Sequence, residues 1–89
     1  MSPNIELLKK KIIYRSNYRG TKEMDKLLGA FTKKYIERLS IKDLNDLEEL
    51  LDVDDSNLYN FFNGQKTDFI FKENNINNLF KNFKYSIYD

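Results

Sequence analysis

Arg15, Arg19, Gly20, Glu23 and Asp25 sit close together in the stretch Tyr14-Arg15-Ser16-Asn17-Tyr18-Arg19-Gly20-Thr21-Lys22-Glu23-Met24-Asp25. Arginine offers a planar, permanently charged fork that matches carboxylates and phosphates. Glycine lets a chain turn sharply and lets a second backbone or a ligand come close. Glu23 falls in the first turn of the helix that follows, beside its positive end. Together these groups suit docking and electrostatic recognition. As an acid–base pair, Glu23 and Asp25 are poorly placed, because residues two apart on a helix point in different directions. The same residues also admit a plain structural reading. Gly20 then only makes the turn, and Glu23 only complements the helix dipole, worth about 0.3–1 kcal/mol.

A second cluster, Asp54, Asp55 and Tyr59, opens the short aromatic segment Leu58-Tyr59-Asn60-Phe61-Phe62. It reads either as a contact surface or as helix capping joined to core packing. The chain has no His and no Cys. Disulfides, thiolate chemistry, Cys/His zinc sites and an imidazole base are therefore excluded. With 89 residues there is room for one domain, spanning 1–89, and little for a deep substrate cavity beside its core. The residues thus favour a binding module over an enzyme.

Charge is uneven although the net value is only +1. Residues 1–38 carry ten Lys/Arg against four Asp/Glu, residues 39–73 carry three against nine, and the remainder two against one. A nucleic-acid binder would carry a clear basic excess. Two readings of the split stand open: a surface with two electrical faces that suits a protein partner, or two halves that attract each other within the fold. No apolar run approaches the ~18–20 residues needed to cross a bilayer, and the N-terminus has no secretory pattern. The expectation is a cytoplasmic monomer without membrane insertion.

The elements that position these groups read as helices throughout. Ser2-Pro3 is a favoured helix start, followed by Ile5, Leu8, Ile12 and Ile13, and the segment fades at Ser16-Asn17. Met24, Leu27, Leu28, Phe31, Tyr35 and Leu39 form one face of a second helix. Ser40 restarts a third, with Ile41, Leu44, Leu47, Leu50 and Leu51 inward, stopping near Asp52. A fourth begins within Asp54-Asn57 and ends at Asn63-Gly64, glycine being the favoured terminator. Gln65 to Lys72 reads as a connection in which Phe69-Ile70-Phe71 packs as loop. A fifth helix starts near Glu73 with Ile76, Leu79, Phe80 and Phe83 inward. The fold class expected is all-α, a small antiparallel bundle of four to five helices.

Two segments of this chain resemble the signatures of one family, the SdhE-type or succinate dehydrogenase assembly factors. The first is Arg19-Gly20-Thr21-Lys22-Glu23, which matches an Arg-Gly-x-x-Glu motif, preceded by Arg15 and followed by Asp25. The second is Leu50 to Phe62, two leucines, an acidic turn and a short aromatic helix. The resemblance covers about residues 8–68. It departs at Tyr18, where the family is usually basic, and after Gly64, where a proline is often found.

The resemblance implies a chaperone-like assembly factor that docks on the apo flavoprotein subunit of succinate dehydrogenase, or of fumarate reductase. It would promote the bond between the flavin 8α-methyl carbon and a histidine of that client. FAD then belongs to the client, and this chain holds no cofactor stably. Arg19, Gly20 and Glu23 would face the client, flanked by Arg15 and Asp25, with Asp54, Asp55 and Tyr59 as a second contact. The rival functions are an antitoxin-type or other small interaction module, and a membrane-surface protein using the basic first helix.

Overall fold

Each described α-helix of this protein begins where a short polar side chain can accept from an otherwise orphaned backbone N–H. The structure, a computed structural model, describes residues 4–85. Among these lie α1 (Ile5–Asn17), α2 (Lys22–Tyr35), a 3-10 turn (Ile36–Arg38), α3 (Ile41–Leu51), α4 (Asp55–Phe62) and α5 (Asn75–Lys81), with no strand. The caps are Asn4, Thr21, Ser40, Asp54 and Asn74, accepting from the N–H groups of Leu7, Met24, Asp43, Asn57 and Asn77 at 2.7–3.3 Å. Ser40 begins the third helix as its sequence implies. Of the several candidates in Asp54-Asn57, the structure selects Asp54. The expected start at Ser2-Pro3 lies outside the described residues.

The second helix does not run unbroken to Leu39. It tightens into the 3-10 turn at Ile36, and Leu39 is extended, so that the chain can enter the Ser40 cap. Gly64 closes α4 with a φ of 71°, in the left-handed region.

The apolar stripes meet in one core. α1 packs on α2 and α3, α3 on α5, and α4 on α5. Phe31 of α2 and Phe80 of α5 are fully buried and touch edge-on at a centroid distance of 5.3 Å. Ile12, Leu27, Leu28, Leu44, Leu47, Leu51, Leu58 and Ile76 are fully or almost fully buried beside them. The connection after α4 packs as loop through Phe71, which stacks on Phe61 at 3.9 Å. Ile70 beside it is 90% exposed. Ile5 and Ile13 in the apolar spacing of α1, and Ile41, read as inward in α3, are instead exposed, because no described element covers their side of the helix.

Two features between α1 and α2 fix how closely the first motif is held. The Ser16 and Thr32 hydroxyls, both buried, hydrogen-bond at 2.6 Å, and the Ser16 hydroxyl also reaches the Ile12 carbonyl at 2.8 Å. Gly29 lies directly under Asn17; a Cβ there would come within 2.5 Å of the Asn17 amide oxygen. The small residue leaves room for the Asn17 side chain.

Candidate functional site

The loop between α1 and α2 is tied at both ends before any partner is considered. Thr21 caps α2, and the Asp25 carboxylate, one turn into that helix, accepts from the Arg19 backbone N–H. Gly20 follows with a φ of 120°, a conformation L residues rarely adopt. A Cβ at Gly20 would meet nothing within 4 Å, so the space beside it is open to the outside. Glu23, in the first turn of α2, is exposed and makes no hydrogen bond or ion pair among the described residues. Its carboxylate is free for another molecule.

Arg19 behaves differently. Its side chain is only 12% exposed, and each of its three guanidinium nitrogens is engaged. Nε donates to Asp55 at 3.0 Å, one terminal nitrogen donates to the Leu51 carbonyl, and the other donates to the Val53 carbonyl at 2.7 Å. Leu51 is the last residue of α3, where carbonyls lack helical partners and carry the negative end of the dipole. Asp55 is the first residue of α4. The guanidinium thus spans the junction of the two helices from a residue in a distant loop.

Arg19 is also the last rung of a charge ladder. Lys11 pairs with Glu48 at 3.4 Å, Arg15 pairs with Asp52, and Arg19 pairs with Asp55 at 3.0 Å. Lys11 and Arg15, four apart, share one face of α1, and Arg19 follows in the loop after the helix ends at Asn17. The acidic members follow on α3 and the start of α4. Three of the ten basic residues of positions 1–38 are therefore paired with acids of positions 39–73 within the fold, in the sense of the second of the two readings above. The two more exposed pairs, Lys11–Glu48 and Arg15–Asp52, contribute little each, typically about 0–1 kcal/mol.

The acidic turn has equally local duties. Asp54 caps α4 through the Asn57 N–H and also accepts from the Asn57 side-chain amide at 2.7 Å. That amide, with smaller help from the backbone and from Arg19, holds the Asp54 carboxyl below the usual carboxylate range. Asp55 is committed to Arg19. Tyr59 is exposed and has no hydrogen bond from its ring among the described residues. Both signatures thus meet through Arg19, and Arg15 reaches the same junction one rung away through Asp52, the residue that follows α3.

Sequence reasoning passed over two further parts of this region. Tyr14 and Tyr18 pack against each other at 4.7 Å while remaining 66% and 69% exposed. They border an open depression of about 560 Å³ with Lys10, Ile13 and Asn17, and Ile13 and Asn17 also line a separate groove of about 350 Å³ over Gly29. The signal was present in the spacing of Tyr14 and Tyr18, four apart on one helix face. No group of three or more carboxylate, His or Cys ligands that could hold a metal occurs among the described residues. No described helix is long and apolar enough to cross a membrane.

A family model described as flavinator of succinate dehydrogenase matches residues 10–84. Among curated proteins, the chain is similar to the Dictyostelium discoideum protein named succinate dehydrogenase assembly factor 2, mitochondrial. The two are 40% identical over 57 residues, covering 64% of this chain and 40% of that one. The Lodderomyces elongisporus protein of the same name is 34% identical over 55 residues, covering 62% of this chain and 34% of its own. The FAD assembly factor SdhE of Acetobacter pasteurianus is 29% identical over 62 residues, covering 70% of this chain and 57% of its own. The matched region therefore spans between 34% and 57% of these relatives' lengths. No solved structure matches significantly.

Proposed function

The chain belongs to the family of flavinators of succinate dehydrogenase, and we propose that it binds the apo flavoprotein subunit of that enzyme and promotes covalent attachment of FAD to a client histidine. The observation that carries this reading is the family match together with an open surface at its first signature, where Gly20 leaves space and Glu23 offers an unpaired carboxylate. Fumarate reductase presents the same type of subunit and is the alternative client.

The factor itself does not react. Bond formation at the flavin 8α-methyl carbon needs a histidine held in line and negative charge stabilised on the ring system. FAD, held by the client, would supply both the carbon and the electron sink: as the client histidine nitrogen bonds to the 8α carbon, the methyl group and the imidazole would each give up a proton and the flavin ring would take up the electron pair. This chain, which has no His or Cys, contributes by holding client segments in the reactive arrangement. In this reading the cofactor stays with the client. In this proposal the protein is a cytoplasmic monomer in its free state.

A tagged copy expressed in cells that contain the flavoprotein subunit tests the reading directly. Co-purification of that subunit, together with in-gel flavin fluorescence of the denatured subunit that depends on this chain, is expected. Capture of a small toxin-like protein in its place, or fluorescence indifferent to the chain, would refute it.

A further inference from the structure

The Arg-Gly-x-x-Glu motif places an arginine beside two residues that face outward, yet this arginine faces inward. Its guanidinium donates from Nε and both terminal nitrogens to Asp55, Leu51 and Val53, and its backbone N–H is held by Asp25. An arginine carries five N–H donors in a fixed fork, and here no nitrogen is left without an internal acceptor. The acceptors belong to the second signature segment, 32 to 36 positions further along the chain. The two signatures are thus held one arginine side chain apart.

We propose that Arg19 is a positioning residue for client binding: it fastens the α3–α4 junction to the α1–α2 loop, so that Gly20 and Glu23 and the region of Asp54 and Tyr59 act as one composite docking surface. The inference rests on the client-binding function proposed above and deepens it. Few other ties fix this spacing. The α1–α3 contact is shared with the Lys11–Glu48 and Arg15–Asp52 pairs, whose members include more exposed side chains than Arg19 and make no carbonyl contacts. Among the described residues, only Arg19 reaches the carbonyls of Leu51 and Val53 and the carboxylate at the start of α4 simultaneously. A lysine at this position could follow the charge but could not offer the fork. Asp55 acts through Arg19 in the same way, so its removal should reproduce the loss.

The test is a double-mutant cycle read in two ways. Arg19→Ala, Asp55→Ala and the double variant are titrated against purified apo flavoprotein subunit, at a temperature where circular dichroism shows each folded. Amide hydrogen exchange of the isolated proteins is followed at residues 51–58. Each single variant is expected to weaken binding by roughly tenfold or more, with the double variant no weaker than the worse single. Exchange around the α3–α4 junction should accelerate in all three. A residue that is only structural would lower the melting temperature but leave the affinity of the folded protein unchanged, and that result would overturn the proposal. So would parent-like binding by Asp55→Ala beside loss in Arg19→Ala, or additive losses, either of which would make Arg19 a direct client contact. Should Arg19→Ala fail to fold, Arg19→Lys and Asp55→Asn carry the same cycle. If the parent itself does not bind the subunit, the functional reading fails, while hydrogen exchange still decides whether the junction depends on Arg19.

Discussion

Replacing Glu23 by alanine separates what this residue does for its own fold from what it does for a partner. Glu23 is exposed in the first turn of α2, and no described residue pairs with it. Its contribution to stability is then confined to the helix dipole, about 0.3–1 kcal/mol. At roughly 4–8 °C per kcal/mol for a domain of this size, the melting temperature should fall by about 1–8 °C. In cells lacking a native factor, Glu23→Ala is expected to leave the flavoprotein subunit without in-gel fluorescence in the denatured state. Gly20 supplies the companion pair of variants. A φ of 120° strains any other residue by about 1–3 kcal/mol, partly offset by a less flexible unfolded chain. Gly20→Ala should lower the melting temperature by on the order of 5–15 °C and still support flavinylation at a permissive temperature. Gly20→Arg bears the same strain but projects a long charged side chain into open space, where only a partner can meet it. It should abolish fluorescence at a temperature where both variants are folded. Full fluorescence with Glu23→Ala and Gly20→Arg, at normal protein levels, would refute this surface as the working site.

Two further outcomes can be checked on the isolated protein. Ser16→Ala should cost about 1–3 kcal/mol in chemical denaturation, because it leaves the buried Thr32 hydroxyl without its partner, whereas Ser16→Ala with Thr32→Val should cost less than the sum of the two single changes. The Asp54 carboxyl titrates below its ordinary value in the folded state, so its contribution to stability is fully present above the unfolded pKa and is lost as pH falls through the folded one. Asn is an equally good cap, so thermal melts of Asp54→Asn should differ from the parent most near neutrality, with the difference shrinking as pH falls below about 4.

The sequence makes helix ends easier to read than helix faces. Ser40, Asp54 and Gly64 act where their chemistry implies, because a cap needs only its own backbone and the next turn. Burial needs a neighbour. Ile12 and Ile13 are adjacent in the same stripe, yet one is fully buried against the core and the other lines an open groove. Periodicity orients a stripe to within about a quarter turn and cannot say how much of it another element will cover. The break at Ile36 escaped for a related reason, since the apolar spacing continues through Leu39 while the backbone tightens to meet Ser40. The site was legible to a similar degree. The motif located the loop, the glycine and the free carboxylate, but spacing cannot decide whether a long arginine turns out to a client or inward to another segment of its own chain.

That inward turn has an electrostatic consequence at the junction itself. Three helix ends converge on Arg19: the start of α2 through Asp25, the end of α3 through the Leu51 and Val53 carbonyls, and the start of α4 through Asp55. The two N-terminal ends carry partial positive charge and each is answered by an acid, while the C-terminal end is answered by the guanidinium. With these ends satisfied internally, Glu23 beside one of them is left as a carboxylate with no described partner. A charge fixed on a helix and backed by a satisfied network need not reorganise when a client arrives. Exchanging it for glutamine, which keeps the shape, should therefore weaken client binding nearly as much as alanine if the charge is what the client reads. Parent-like affinity for Glu23→Gln would show that the client reads a hydrogen-bond acceptor there instead.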